Sequence, residues 1–123
     1  MPDATVLVVE DNDDTRTMLR TMLKVYGYAV IEAADGEKAV RLALEQSPHI
    51  ILLDLKIPVM DGTEVTNKLR SLQETQHIPI IILSAYCNDF ELRRKLLEAG
   101  ANECLTKPVD IDKLRAALKS HSN

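Results

Sequence analysis

The segment Ile50–Gly62, IILLDLKIPVMDG, determines the fold that the sequence predicts. Its first four residues are apolar, follow a proline at position 48, and end abruptly at Asp54. Such a run is typical of a strand that is buried on both faces of a sheet. A carboxylate at the carboxyl end of a buried central strand lies where α/β proteins bind their ligands. Asp54 is therefore the first candidate functional residue. The dipeptide Asp61-Gly62 predicts a turn and the start of a helix.

Composition indicates one ordinary globular domain. A chain of 123 residues suits a single domain. The net charge of -4 argues against binding to nucleic acid or to an anionic membrane surface. No apolar run approaches the roughly 20 residues that span a bilayer, and no signal peptide is recognised, so a cytoplasmic protein is expected. In that compartment Cys87 and Cys104 are expected to be free thiols, although they could approach each other near the ends of the last two predicted strands.

Five apolar segments alternate with five segments of helical periodicity. The strands are predicted at Thr5–Val9, at Ala29–Ala33, from Ile50 to Asp54, at Ile78–Leu83 and at Glu103–Thr106. The helices are predicted at 13–26, from Asp35 to Pro48, at 62–72, from Asn88 or Asp89 to Gly100, and after Asp110. This alternation indicates right-handed crossovers and a parallel sheet with helices on both faces. We expect an α/β, flavodoxin-like, doubly wound sheet of order 2-1-3-4-5, because strands 1, 3 and 4 are the most apolar.

Polar side chains follow the strands at one edge of the predicted sheet. They are Glu10 and Asp11 after strand 1, Asp54 after strand 3, Ser84 after strand 4 and Lys107 after strand 5. Because the carboxyl ends of parallel strands meet at one edge, we expect these side chains to converge in one cleft. Three carboxylates placed together raise each other's pKa, and Mg2+ relieves this repulsion. A carboxylate can act as the nucleophile in phosphoryl transfer, with an ammonium and a hydroxyl group offsetting charge on the phosphoryl oxygens.

With these residues in place, the sequence resembles the receiver domain of response regulators in two-component signalling. The resemblance runs from Thr5 to about Lys119 and rests on four motifs in the family's order. These are VLVVEDN at 6–12, LLDLKIPVMDG at 52–62, ILSA at 82–85 and LTKP at 105–108. LKIPVMDG at 55–62, SAY at 84–86 and KPVDIDKLRAALK at 107–119 resemble the single-domain receiver of the sporulation phosphorelay more than receivers that are fused to DNA-binding domains. The resemblance implies one receiver domain over residues 1–123, without an output domain.

The resemblance also implies a role for each residue of the cleft. Asp54 would be the phosphoacceptor. The magnesium ligands would be Glu10, Asp11, Asp54 and the backbone carbonyl of Lys56. Ser84 and Lys107 would bind the phosphoryl group, and the Lys107–Pro108 peptide bond is expected to be cis.

A phosphoacceptor of this kind signals through its partners and is not a turnover enzyme. The resemblance implies that the phosphoryl group comes from a sensor histidine kinase or a histidine phosphotransfer protein. Phosphorylation would change the surface of strand 4 and helix 4, which controls binding of a downstream protein or onward phosphotransfer. The chain is expected to be a monomer or a weak, phosphorylation-dependent dimer.

One position departs from the family pattern, and two others are positions that affect the rate of dephosphorylation in the family. Cys104 stands where receivers usually carry the aromatic residue that reports phosphorylation by changing its rotamer. Lys56 and Tyr86 lie two residues past Asp54 and Ser84, where the family regulates the access of water to the phosphorylated aspartate. A long lysine and an aromatic ring at these positions predict that the phosphoryl group is lost over hours rather than seconds.

The same residues argue against two other functions of α/β proteins. A phosphatase of the haloacid dehalogenase type needs a second Asp where this chain has Lys56. A flavin-binding protein needs a phosphate-binding loop after strand 1, where Glu10 and Asp11 would repel phosphate. A degenerate receiver that acts only as a scaffold, and a receiver excised from a hybrid kinase, remain as alternatives.

Overall fold

The computed structural model of the chain describes residues 4–121 as five strands and five helices in strict alternation. The strands are β1 (Thr5–Val9), β2 (Ala29–Ala33), β3 (Ile50–Asp54), β4 (Ile80–Ser84) and β5 (Glu103–Thr106). The helices are α1 (Asp13–Val25), α2 (Gly36–Gln46), α3 (Gly62–Ser71), α4 (Phe90–Ala99) and α5 (Ile111–His121). The predicted succession of elements is confirmed.

The five strands form one parallel sheet in the order β2-β1-β3-β4-β5, which confirms the predicted flavodoxin-like topology. Strands β3 and β4 are buried along their whole length. In the register of the sheet, Asp54 stands opposite Leu83, and Ser84 stands opposite Thr106. The carboxyl ends of β1, β3, β4 and β5 therefore lie side by side, with Asp54 between the ends of β1 and β4.

Apolar side chains leave the sheet on alternate faces and form two core layers. From β3, Ile51 and Leu53 pack on the face covered by α2, α3 and α4. Ile50 and Leu52 pack on the face covered by α1 and α5. This alternation follows from the two-residue period of a strand. Within residues 4–121, no helix combines the length and the apolar character needed to cross a bilayer.

The start of the fourth strand differs from the prediction. The apolar run begins at Ile78, but β4 begins at Ile80. Pro79 has no N–H to donate to the sheet, and the N–H of Ile78 is used in a turn with the carbonyl of Thr75 at 3.1 Å. The far end of the strand is one residue longer than predicted and includes Ser84.

The start of α3 agrees with the sequence. Asp61 is the N-cap residue, and its Oδ1 accepts a hydrogen bond from the N–H of Glu64 at 3.0 Å. Such a cap satisfies one of the free N–H groups at the helix start. Asp61 thus has a local structural role, as the Asp-Gly pattern predicts.

The expectation of free thiols is wrong. Cys87, in the segment that joins β4 to α4, forms a disulfide with Cys104 of β5, and their Cα atoms are 5.5 Å apart. The two residues are separated by 17 positions in the sequence. They meet because β4 and β5 are neighbours and the chain turns back over β5 after Ser84. The sequence thus indicated that the two cysteines could lie close together, but not that they are bonded.

Arg70 of α3 connects the helix to two later loops. Its guanidinium donates hydrogen bonds to the carbonyl oxygens of Gly100 at 2.9 Å, Gln76 at 3.1 Å and Ile78 at 2.7 Å, and to Oδ1 of Asn102 at 3.0 Å. Burial lowers the pKa of Arg70, because desolvation disfavours the charged form. Charge-assisted bonds of this kind are stronger than neutral ones.

An Arg70→Met variant is expected to lower the free energy of unfolding by about 3 kcal/mol, because the carbonyl oxygens of Gly100, Gln76 and Ile78 would lose this donor. Urea denaturation measures this change. Arg94→Met is the matched control, since Arg94 pairs with Glu91 and Glu98 on the exposed face of α4, and surface ion pairs contribute little. Equal losses in the two variants would contradict the structural role of Arg70.

Candidate functional site

Asp54 is the last residue of β3 and is almost buried, with 6% of its surface exposed. Its Oδ1 accepts a hydrogen bond from the backbone N–H of Lys56 at 3.2 Å. Its Oδ2 lies 3.0 Å from the ammonium nitrogen of Lys107. The backbone after the strand therefore holds one carboxylate oxygen, and a cation holds the other.

Two further carboxylates stand beside Asp54, at the end of β1. Glu10, Asp11 and Asp54 each offer an oxygen within 4.8 Å of the others. Glu10 is 3% exposed, whereas Asp11 is exposed to solvent. Burial raises the pKa of Glu10, and the nearby Asp54 raises it further, against the lowering effects of the Asn12 N–H and of Lys107. A cluster of carboxylate oxygens is the donor set that a hard divalent cation prefers.

Lys107 reaches the acidic cluster from the end of β5. Its ammonium nitrogen lies 3.2 Å from Oε1 of Glu10 and 3.0 Å from Oδ2 of Asp54. Partial burial opposes the charged form, but the two carboxylates outweigh it, so the pKa of Lys107 is raised. The Lys107–Pro108 peptide bond is cis, the isomer that the resemblance implies. The backbone N–H of Lys107 also donates to the carbonyl of Ser84 at 2.9 Å.

A cleft of about 230 Å³ opens beside Asp54. Its lining residues are Asp54, Leu55, Lys56, Ser84, Ala85, Tyr86 and Lys107. The Oγ of the buried Ser84 accepts a hydrogen bond from the N–H of Tyr86 at 3.1 Å. The ammonium of Lys56 lies 5.3 Å from the centre of the Tyr86 ring, within cation–π distance. This pair occupies the solvent side of the cleft, since both residues are exposed.

Arg16 of α1 is part of the site's framework, and the sequence did not reveal it. Its Nη1 donates to the backbone carbonyl of Glu10 at 2.8 Å. It also pairs with Asp13 at 2.6 Å and with Glu32 of β2 at 3.2 Å. These contacts hold the end of β1 in place. The only local signal was the Asp13–Arg16 spacing of three residues on a helix. The contact with Glu32 depends on β1 and β2 being neighbours.

The structure therefore brings together seven of the residues singled out in the sequence. They are Glu10, Asp11, Asp54, Lys56, Ser84, Tyr86 and Lys107. Cys104 lies apart from them in β5, where it is 4% exposed and lines a different hollow between α4 and α5. The position expected to carry the reporting aromatic residue holds a covalent cross-link instead.

The arrangement places a carboxylate, a hydroxyl and an ammonium group at one cleft, which are the groups that phosphoryl transfer to a carboxylate needs. The family model for the response regulator receiver domain matches residues 6–119. The chain belongs to this family. The receiver domain is a module of two-component and phosphorelay signalling, so the resemblance found in the four motifs is confirmed.

Individual relatives differ in length. Sporulation initiation phosphotransferase F of Bacillus subtilis (strain 168) is 33% identical over 121 residues, which cover 98% of this chain and 95% of that protein. A cyclic di-GMP phosphodiesterase of Thermotoga maritima is 40% identical over 114 residues, but the chain spans only 30% of its length. The receiver domain of a sensor histidine kinase from Pseudomonas aeruginosa PAO1 is 36% identical, with a TM-score of 0.88 and 97% of each chain covered. The crystal structure of that domain has a magnesium ion coordinated in its active site cleft.

Proposed function

We propose that this receiver domain accepts a phosphoryl group on Asp54 from the phosphohistidine of a sensor histidine kinase or a histidine phosphotransfer protein, in the cytoplasm. The observation that carries the proposal is the ammonium of Lys107 bridging Asp54 and Glu10 beside an open cleft. This arrangement places a nucleophilic carboxylate and a charge-offsetting cation at one point. The domain is a phosphoacceptor in this proposal and not a turnover enzyme.

In the transfer step, an oxygen of Asp54 attacks the phosphorus atom. The bond from phosphorus to the donor's imidazole nitrogen breaks, and the nitrogen keeps the bonding electrons. Lys107 and the hydroxyl of Ser84 bind the oxygens of the transferred group and offset their negative charge. The product is an acyl phosphate on Asp54. The buried position of Asp54 limits the entry of water.

The acidic cluster fits Mg2+. Glu10, Asp11, Asp54 and the backbone carbonyl of Lys56 would hold the ion, and carboxylate oxygens within 4.8 Å of one another suit a small divalent cation that keeps several waters. When bound, the ion supplies positive charge that stabilises the transferring phosphoryl group. Lys107 would supply a second positive charge, because one cation does not offset all the oxygens of the group.

The phosphodonor would dock on the rim of the cleft and on α1. Met18 is a large apolar residue of α1 that is 50% exposed. It lines a hollow of about 200 Å³ together with Thr15, Leu83, Lys107, Pro108 and Val109. An apolar hollow that shares Lys107 with the Asp54 cleft would bring the donor's histidine close to Asp54.

The output surface would be α4, β5 and α5. Ser84 is linked to the next segment because its Oγ accepts from the N–H of Tyr86. If Ser84 moves toward the phosphoryl group, this bond transmits the change to residues 85–89 and to α4. Phosphorylation would then shift an existing equilibrium of that surface, which controls a downstream protein contact or onward phosphotransfer.

Incubation with acetyl phosphate and magnesium tests the proposal. Intact mass is expected to increase by one phosphoryl group, and peptide mapping is expected to place it on Asp54. The gain should disappear when magnesium is removed with a chelator. A chain that gains nothing would favour a scaffold function instead, and a gain on another residue would contradict Asp54 as the acceptor.

A Tyr86→Ala variant is expected to lose the phosphoryl group about tenfold faster than the wild type, which should hold it for hours. The reason is that Tyr86 and Lys56 together cover the solvent side of the cleft, and water is the attacking group in hydrolysis. The decay of the phosphorylated mass measures the rate. Phe90→Ala is the matched control, because Phe90 is also an exposed aromatic residue but belongs to α4. Equal decay in both variants would contradict the shielding role.

A further inference from the structure

The Cys87–Cys104 disulfide encloses α4 in a covalent ring. The ring starts at Cys87, runs through α4 (Phe90–Ala99), and closes at Cys104 in β5. Both cysteines are buried, with 2% and 4% of their surfaces exposed. Arg93 of α4 adds a second link, because its Nη1 donates to the carbonyl of Cys104 at 3.0 Å. The helix is therefore tied to β5 both covalently and by a hydrogen bond.

Cys87 is the buried residue of an exposed segment. Its neighbours Ala85, Tyr86, Asn88, Asp89 and Phe90 are all exposed. The sulfur atoms thus provide the main apolar attachment of this segment to the sheet. At its start, the same segment is hydrogen-bonded to Ser84 through the N–H of Tyr86. One segment therefore lies between the phosphoryl-binding hydroxyl and the disulfide.

We propose that Cys87 and Cys104 are a redox-active pair that controls whether phosphorylation of Asp54 changes residues 85–89 and α4. The proposal rests on the phosphoacceptor function proposed above. In the oxidised protein, the segment is bonded to β5 and α4 responds little. In the reduced protein, two thiols leave the segment free to follow Ser84. In the cytoplasm, disulfides are usually transient and redox-sensing.

Thiol–disulfide exchange interconverts the two states of the cysteine pair. A dithiol reductant opens the bond: one of its thiolates attacks one cysteine sulfur, its second thiol then closes the reductant's own disulfide, and both cysteines are released as thiols. Two electrons and two protons pass from the reductant to the pair. Glutathione disulfide reverses the change through a mixed disulfide and leaves as two molecules of glutathione.

Amide hydrogen exchange of oxidised and reduced protein tests the proposal. Glutathione disulfide and a phosphine reductant prepare the two states, and alkylation in denaturant followed by intact mass confirms them. Reduction is expected to speed exchange of residues 85–89 by about tenfold, because local opening governs exchange. Acetyl phosphate with magnesium is then added to both states. The resulting change in the amide exchange rates of α4 is expected to be at least about threefold larger in the reduced protein than in the oxidised one.

A Cys87→Ala, Cys104→Val double variant is the control that keeps the site apolar. It should behave like the reduced wild type after either treatment. Equal exchange in the oxidised and reduced wild type, or a redox response that persists in the double variant, overturns the proposal.

Phosphoryl gain is measured in the same samples, which separates this proposal from the phosphoacceptor function. If neither redox state gains a phosphoryl group, the phosphoacceptor function is wrong, and the proposed redox regulation is wrong with it. If both states gain the phosphoryl group and amide hydrogen exchange in α4 changes equally in both, only the redox regulation is wrong.

Discussion

An Asp54→Asn variant is expected to gain no phosphoryl group from acetyl phosphate, while its fold stays intact. The side-chain amide is not a nucleophile for phosphoryl transfer, whereas the carboxylate at the end of β3 is. The amide keeps the size of the carboxylate and can still accept the hydrogen bond that the N–H of Lys56 donates. Intact mass after incubation with acetyl phosphate and magnesium measures the loss.

Asp61→Asn is the matched control for that loss. Asp61 follows the same strand, and its role is to cap α3. Asparagine caps helices about as well as aspartate, so this variant should be phosphorylated like the wild type. Phosphorylation that survives in Asp54→Asn, or that vanishes in Asp61→Asn, would show that Asp54 is not the acceptor.

A Lys107→Met variant is expected to accept the phosphoryl group roughly a hundredfold more slowly, at saturating magnesium. Lys107 is the cation that contacts both Glu10 and Asp54. Without it, the negative charge that develops on the phosphoryl oxygens loses the positive charge that this chain supplies. Methionine keeps much of the apolar length of the lysine chain, which limits the change in packing. The initial rate of mass gain measures the effect.

Lys107→Arg separates charge from geometry. The guanidinium keeps the positive charge but replaces a compact ammonium with a planar fork. We expect a rate between those of the wild type and Lys107→Met. An unchanged rate in Lys107→Met would contradict a role for this cation in transfer, whatever the arginine variant does.

The carboxyl ends of the strands were predictable because each is marked by an apolar run that stops at a polar residue. The run before Asp54 is apolar and changes at one residue, and the parallel topology then places Ser84 and Lys107 at the same edge. The start of β4 was less predictable, since Pro79 interrupts the pairing of an apolar run.

Two interactions that the sequence did not predict, the Arg16–Glu32 ion pair and the disulfide, join residues that are distant in the chain. Arg16 meets Glu32 because β1 and β2 are adjacent, and the disulfide forms because the segment after β4 turns over β5. Periodicity and turn signals report on neighbours within a few residues, so they carry no information on such pairs. Cys87 and Cys104 were expected to be able to approach each other, but the bond between them became evident only in the folded chain.

The backbone hydrogen bond from Lys107 to the carbonyl of Ser84 bears on how the partner specificity of the domain can be changed. It continues the ladder of β4 and β5, so the spacing of these two residues is set by main-chain geometry. The surfaces of α1 and α4 that would meet partners lie outside this ladder. Substitutions of partner-facing residues could therefore direct the domain to a new phosphodonor or a new downstream partner. The positions of Ser84 and Lys107 at the sheet edge would stay the same.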